Sequence, residues 1–161
     1  MRARVVFVIR HAMPTGSRHN QAAFGPQGGP LTEAGVQQAK SLTLRLQEFG
    51  IDVTTEPVAT SFAKRAYETA KYAGFRRIQK YASLGEVGGD LSPAVLDALI
   101  AAKQVPPAAV AAAHALLAQP PQERVWVTHG QLIAGIAYVL RIPPTELFIP
   151  PMGSLTKLSL P

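Results

Sequence analysis

The chain has 161 residues, nearly half of them apolar and 16% charged, a composition that buries a core and excludes a disordered polymer. It has no cysteine, which excludes disulfides, thiolate catalysis and cysteine-held zinc. Sixteen basic against ten acidic residues give a formal charge of +6, which favours an anionic partner and leaves few carboxylates for proton transfer.

Arg4–Arg10 opens as an unbroken run of Val, Val, Phe, Val and Ile, the pattern of a strand buried on both faces. Residues 12–31 carry three prolines and four glycines and read as a long loop, a feature compact domains usually reserve for function. Thr32 is placed to cap a helix, Glu33 suits its positive end, and Val36, Ala39, Leu42, Leu46 and Phe49 follow at helical spacing until Gly50 stops it. Pro57–Thr60 reads as a short strand. Ser61 then reads as the cap of a helix through about Ala73, ended by Gly74, and Ile78–Ala82 as a weak strand.

A glycine-bearing loop at 83–92 holds Glu86 and Asp90. Helices are expected near 93–103 and 107–118, separated by Pro106-Pro107, with Pro107 suited to a first turn. Arg124–Thr128 reads as a strand ending at His129-Gly130. Gln131–Leu140 follows as a helix with Ile133, Ile136, Ala137 and Leu140 on one face, and Ser154–Leu160 as a last strand at the sheet edge. Strands alternating with helices imply a single α/β domain over residues 1–161, three layers deep, with a mostly parallel sheet covered on both faces. Val5–Ile9 is too short for a signal-peptide core, and the alanine-rich stretch 108–118 is too short to span a bilayer. A cytoplasmic protein that engages no membrane is expected. Arg76, Arg77 and Lys80 form the tight basic cluster. They lack the interleaved aromatics of a single-strand platform, read as a solvated face, and argue against a nucleic-acid partner.

Ligands of parallel sheets bind beyond the carboxyl ends of the strands. Arg10-His11, Ser61 with Arg65, and His129-Gly130 each follow a predicted strand, so one sheet edge would gather two histidines and two arginines. A neutral histidine held through one ring nitrogen can attack phosphorus with the other. Arginines suit the phosphoryl oxygens with paired, permanently charged donors, and a helix N-terminus after Gly130 adds backbone amides.

Val8-Ile9-Arg10-His11-Ala12-Met13-Pro14 resembles the Arg-His-Gly signature that opens the histidine phosphatase superfamily, the group of phosphoglycerate mutases and acid phosphatases. Pro30-Leu31-Thr32-Glu33-Ala34-Gly35 is similar to its first-helix segment, Ala59-Thr60-Ser61-Phe62-Ala63-Lys64-Arg65-Ala66-Tyr67-Glu68-Thr69-Ala70 to its phosphate-arginine stretch, and Val127-Thr128-His129-Gly130 to the segment of its second histidine. The four pieces keep the family's order from residue 8 to about 135.

The resemblance implies a phosphoglycerate mutase-like fold. It makes His11 the nucleophile, Arg10, Arg65, His129 and Gly130 the phosphate pocket, and Glu86 of Leu84-Gly85-Glu86-Val87-Gly88-Gly89 the proton donor, with Asp90 in reserve. Ala12 stands where the family usually has glycine. Ser17 stands where mutase-like members carry asparagine, so Ser17 or Thr15 is left to bind the phosphate. His19 and His114 have no such support and read as a loop and a helix residue.

The implied activity is metal-independent hydrolysis of a phosphomonoester or a phosphorylated protein side chain through a phosphohistidine on His11, with no cofactor. The substrate would be a phosphorylated small molecule or protein. The competing readings are a mutase-like phosphotransferase, disfavoured by the chain's shortness, and a phospho-ligand binding module without turnover. A zinc hydrolase is disfavoured because no HxH or HxxxH pair exists.

Overall fold

The computed structural model describes residues 4–16, 21–87, 93–143 and 149–161. Five strands, β1 (Arg4–Arg10), β2 (Pro57–Thr60), β3 (Arg77–Lys80), β4 (Val125–Thr128) and β5 (Leu155–Leu160), form one sheet in the order β3-β2-β4-β1-β5. β3, β2, β4 and β1 run parallel, and β5 closes the far edge antiparallel to β1. The register pairs Arg10 with Thr128 and Thr60 with Val127, so the carboxyl ends of β1, β4 and β2 lie level.

Alternate residues of each strand face opposite layers. Val6, Val8, Ala59 and Trp126 pack with α4 (Pro107–Ala118) and α5 (Gly130–Val139) through Ala113, Leu116, Leu132, Ile133 and Ile136. Phe7, Ile9, Val58, Val125 and Val127 pack on the other face with α1 (Glu33–Glu48) and α2 (Lys64–Tyr72) through Leu42, Leu46, Ala66 and Ala70. The result is a three-layer α/β/α sandwich with a mostly parallel sheet.

Local chemistry accounts for most boundaries. Thr32 caps α1 by accepting from the Gly35 N–H at 3.0 Å, and Gly50 follows the helix at φ +78°. Gly35 also lets α1 approach the loop after β1, since a methyl there would overlap the Met13 carbonyl. Pro107 occupies the first turn of α4. α3 spans Pro93–Ala101, shorter than the reading to 103.

Four expectations are corrected. Ser61 is not the cap of α2, because Ala63 holds that position and the Ser61 hydroxyl bonds His129 instead. β3 spans Arg77–Lys80 rather than reaching Ala82: Tyr81 is still extended and donates to the Thr60 carbonyl, and a 3-10 turn at Ala82–Leu84 then replaces the strand. α5 begins at Gly130, directly after His129. Its buried residues run without interruption from Gly130 to Ala137, so no single apolar face exists. Both α4 and the sheet cover it.

Candidate active site

Three strand ends supply the site, as the topology requires. Arg10 and His11 leave β1, Ser61 leaves β2, and His129 leaves β4 as the residue preceding α5. The His11 and His129 rings face each other with centroids 5.2 Å apart. Both are buried.

His11 Nδ1 lies 2.8 Å from the Ala12 carbonyl. A carbonyl only accepts, so Nδ1 carries the proton and Nε2 is left with its lone pair. Burial, then the neighbouring Arg65 and Arg10 charges, push the His11 pKa down to about 3, against the Ala12 hydrogen bond that raises it. His129 Nδ1 lies 3.3 Å from Arg65 Nη2, and its Nε2 lies 2.8 Å from Ser61 Oγ. A guanidinium only donates, so Nδ1 accepts and the Nε2–H donates to Ser61 Oγ. Burial, with the charges of His11, Arg65 and Arg10, holds His129 well below the ordinary histidine range. Both rings are therefore neutral near pH 7.

Arg65 comes from the first turn of α2 and is buried, although its guanidinium bonds the half-exposed Glu86 carboxylate at 2.7 Å. Glu86 sits just beyond the 3-10 turn that follows β3. Arg10 donates to the Pro150 carbonyl at 2.7 Å. Its guanidinium lies across Gly130, where a Cβ would come within 3.0 Å of Arg10 Nε. The glycine of Thr-His-Gly thus leaves room for the close approach of Arg10, where a side chain would make the arginine shift by a few tenths of an ångström.

Arg10, His11, Arg65, Glu86, His129 and Gly130 all line one small cavity of about 80 Å³. A wider cavity of about 680 Å³ shares Gln21, Arg65, Glu86 and His129 with it and extends past Gly28 and Phe62. Of the expected residues, Thr15 does not line either cavity. Its backbone instead bonds Pro30 and accepts from Gln21 Nε2 at 3.0 Å. Ser17, His19 and Asp90 lie outside the described residues. His114 is exposed and borders a larger, mostly apolar cavity of about 1110 Å³ between α4 and α5. Among the described residues no three His, Asp or Glu side chains gather in a group able to hold a metal, and no helix is long and apolar enough to cross a membrane.

Four residues of the site make contacts that are not evident from the sequence. Ser61 reads there as a cap and as a strand-end neighbour of Arg65, not as a partner of His129. Thr69 accepts from the buried Ala12 N–H and donates to the Arg65 carbonyl, tying the loop after His11 to the helix of Arg65. Its place four residues after Arg65, one helical turn on, is the signal that could have found it. Gln21 holds the Gly29 N–H and the Thr15 carbonyl together, but a glutamine inside a long loop carries no periodic signal. Gln131, next to Gly130, also lines the small cavity.

Comparison with known proteins agrees with this geometry. Many solved structures share the fold, among them the three that follow. "Mycobacterial hydrolase 1" is 24% identical, with 98% of this chain and 91% of that chain covered at a TM-score of 0.64. TTHB049 from Thermus thermophilus is 22% identical, covering 96% and 93% at 0.63. The native mycobacterial glucosyl-3-phosphoglycerate phosphatase is 22% identical, covering 98% and 91% at 0.61. No curated protein sequence matches. The family model described as "Histidine phosphatase superfamily (branch 1)" matches residues 6–90, just over half the chain, and so takes in Arg10, His11, Arg65 and Glu86. The chain belongs to the histidine phosphatase superfamily.

Proposed function

We propose that the protein hydrolyses a phosphomonoester, or a phosphorylated protein side chain, through a phosphohistidine on His11. The observation that carries this reading is the fixed tautomer of His11: Nδ1 is bound to the Ala12 carbonyl, and Nε2 is free in a cavity flanked by Arg10 and Arg65. Nε2 attacks phosphorus as the bond from phosphorus to the leaving oxygen breaks. Arg10, Arg65 and the amides at the start of α5 hold the charge on the equatorial oxygens. His129 presents its ring to the same cavity, and an entering dianion favours its protonation. Water then attacks the phosphohistidine, the nitrogen–phosphorus bond breaks, and phosphate leaves.

Glu86 is the donor this reading uses. It gives its proton to the leaving oxygen and takes one from the attacking water. Its ion pair with Arg65 gives the step an order. The phosphoryl group must first draw Arg65 away from the carboxylate, which leaves Glu86 free to meet the leaving oxygen. The 680 Å³ cavity beside Glu86 is open enough for the body of the substrate. A neighbour of the same fold is a glucosyl-3-phosphoglycerate phosphatase, which makes small phosphate esters sensible first substrates.

The test is p-nitrophenyl phosphate hydrolysis from pH 4 to 8 with a strong chelator present, beside His11→Ala. Release that ignores the chelator and is lost in the variant supports the mechanism. Absence of release from a folded protein that still binds vanadate would favour a phospho-ligand binding module.

A further inference from the structure

The cavity of about 1110 Å³ bordered by α4 and α5 shares no lining residue with either cavity of the candidate active site. Its deepest residues are Ala134 and Ala137 of α5, 2% and 3% exposed, with Leu99, Val110 and Ile142 half-buried around them. Apart from Asp97 every residue of α3 is apolar, yet no described side chain of this helix is fully buried. Sites for small ligands, about 300–1,000 Å³ in volume, are built this way, apolar with a few polar groups that fix orientation.

The charge on this groove has one sign. Lys103 and Arg141 line it, and no aspartate or glutamate is among its described lining residues. Among the described residues neither cation makes an ion pair. Their backbones lie in the left-handed region, at φ +54° and +60°, and no other non-glycine described residue does so. Each ends a helix by the same turn. Lys103 and Gln104 donate back to the Ile100 and Leu99 carbonyls of α3, and Arg141 and Ile142 to the Tyr138 and Ala137 carbonyls of α5. Glycine normally takes the left-handed place in this turn. α1 and α2 follow that rule with Gly50 and Gly74, and keep their cations, Arg45 and Lys71, inside the last helical turn. α3 and α5 have no basic residue in the last turn and carry the cation on the left-handed position instead. The helix dipole accounts for a cation anywhere near a helix end. It does not account for two that occupy glycine's conformation and line the same apolar groove.

We propose that this groove binds a fatty carboxylate, its alkyl chain along Val110, Ala134 and Ala137 and its carboxylate paired with Lys103 and Arg141. The inference does not rest on the phosphatase reading. A second copy of the chain would bring the same cations together, on a molecule whose formal charge is already +6. A bilayer surface, or a partner helix about 10–12 Å across, would rest on the rim. A methylene chain is thin enough to reach alanines this closed to solvent.

Dodecanoate is the probe, titrated by calorimetry into the full chain with inorganic phosphate present to occupy Arg10 and Arg65. Dodecanoate should bind, octanoate should bind more weakly by up to about fourfold for each methylene removed, and dodecyltrimethylammonium should not bind. Lys103→Gly combined with Arg141→Gly removes both charges where the backbone suits glycine, so the fold is kept. The dodecanoate Kd should then rise roughly fivefold or more, two exposed charge pairs being lost. Should urea unfolding show the double variant destabilised, Ala111→Glu decides. It leaves both turns untouched and sets an acid on an exposed position of the groove wall, so weaker binding supports the proposal and unchanged binding overturns it. An unchanged Kd in a stable double variant, equal uptake of the cationic amphiphile, or no uptake of dodecanoate by folded wild type each overturns it. Binding to phosphatidylglycerol vesicles without uptake of dodecanoate would make the groove a membrane surface and overturn it as well.

Discussion

Thr69 illustrates how much of the site depends on residues that touch no reacting atom. Its hydroxyl is fully buried, accepts from the Ala12 N–H at 2.8 Å and donates to the Arg65 carbonyl at 2.7 Å. One oxygen thus spans the loop that holds His11 and the helix that holds Arg65. Thr69→Val keeps the shape and strands the buried Ala12 N–H. Unfolding free energy should fall by about 1–3 kcal/mol, read from urea denaturation, and turnover should fall with it because the Ala12 carbonyl orients His11. Stability and turnover both unchanged would show that Thr69 orients nothing. Glu68, beside it, accepts from the Leu31 N–H at 2.8 Å, which anchors the entry to α1 on α2. Thr69 is therefore scaffolding for Arg65 and the loop after His11, and Glu68 for the start of α1. Gly28 belongs to the same scale. At φ +77° it presses on the Arg65 guanidinium, where a Cβ would come within 2.7 Å of Nη1. The long loop thereby confines the arginine from the outside.

At the scale of elements, the contact between α4 and α5 decides how closely the second helix layer lies on the sheet. α4 is mostly alanine, and Gly135 of α5 rests on the Ala109 carbonyl, which a methyl group would overlap. Two effects oppose each other in Gly135→Ala. Helix propensity favours alanine by about 1 kcal/mol, whereas overpacking against backbone costs typically 1–3 kcal/mol and sometimes more. A carbonyl cannot rotate away as a side chain can, so packing should win and the variant should unfold at lower urea, with a loss of roughly 2 kcal/mol. A more stable variant would show that the helices separate freely. The effect should reach the site, because α5 begins at Gly130, directly after His129. The same enclosure explains why α5 has no polar face for a periodicity reading to detect. Its eight buried residues in succession include one polar side chain, Gln131.

For the whole molecule, two buried neutral histidines couple the site to global stability. Unfolded, His11 titrates near 6.5; folded, near 3. Between those values the unfolded chain binds the proton and the folded chain does not. The stability is therefore fully present above about pH 6.5 and is lost as pH falls, at about 1.4 kcal/mol per pH unit for each such histidine. His129 is shifted in the same direction and adds to the slope. Urea unfolding at pH 7, 6 and 5 should show the midpoint falling steadily. His11→Asn, which keeps a donor near the Ala12 carbonyl and cannot titrate, should flatten the slope. A slope identical to wild type would mean that His11 is protonated in the folded state. Because His11 is neutral throughout this range, the acid limb of any activity profile should come from another group.

The alternation of short apolar strands with helices, and glycines and prolines at their ends, already determined the α/β class. Arg10-His11, Arg65 and Thr-His-Gly, each after a strand, already identified the edge where ligands would bind. These features were legible because they are local: a strand is read from neighbouring residues, and a parallel sheet puts successive strand ends on one side. The tertiary structure decided what depends on distant partners. Ser61 reads as a helix cap until His129, 68 residues away, takes its hydroxyl. Glu86 is singled out only by the family resemblance, and its bond to Arg65 appears only once the turn after β3 brings the two together. Gln131 reads as an ordinary helix residue until burial beside the small cavity leaves its Oε1 without a partner. Hydrogen bonds and desolvation depend on which groups meet in space, and the order of residues along the chain does not contain that until the sheet has formed.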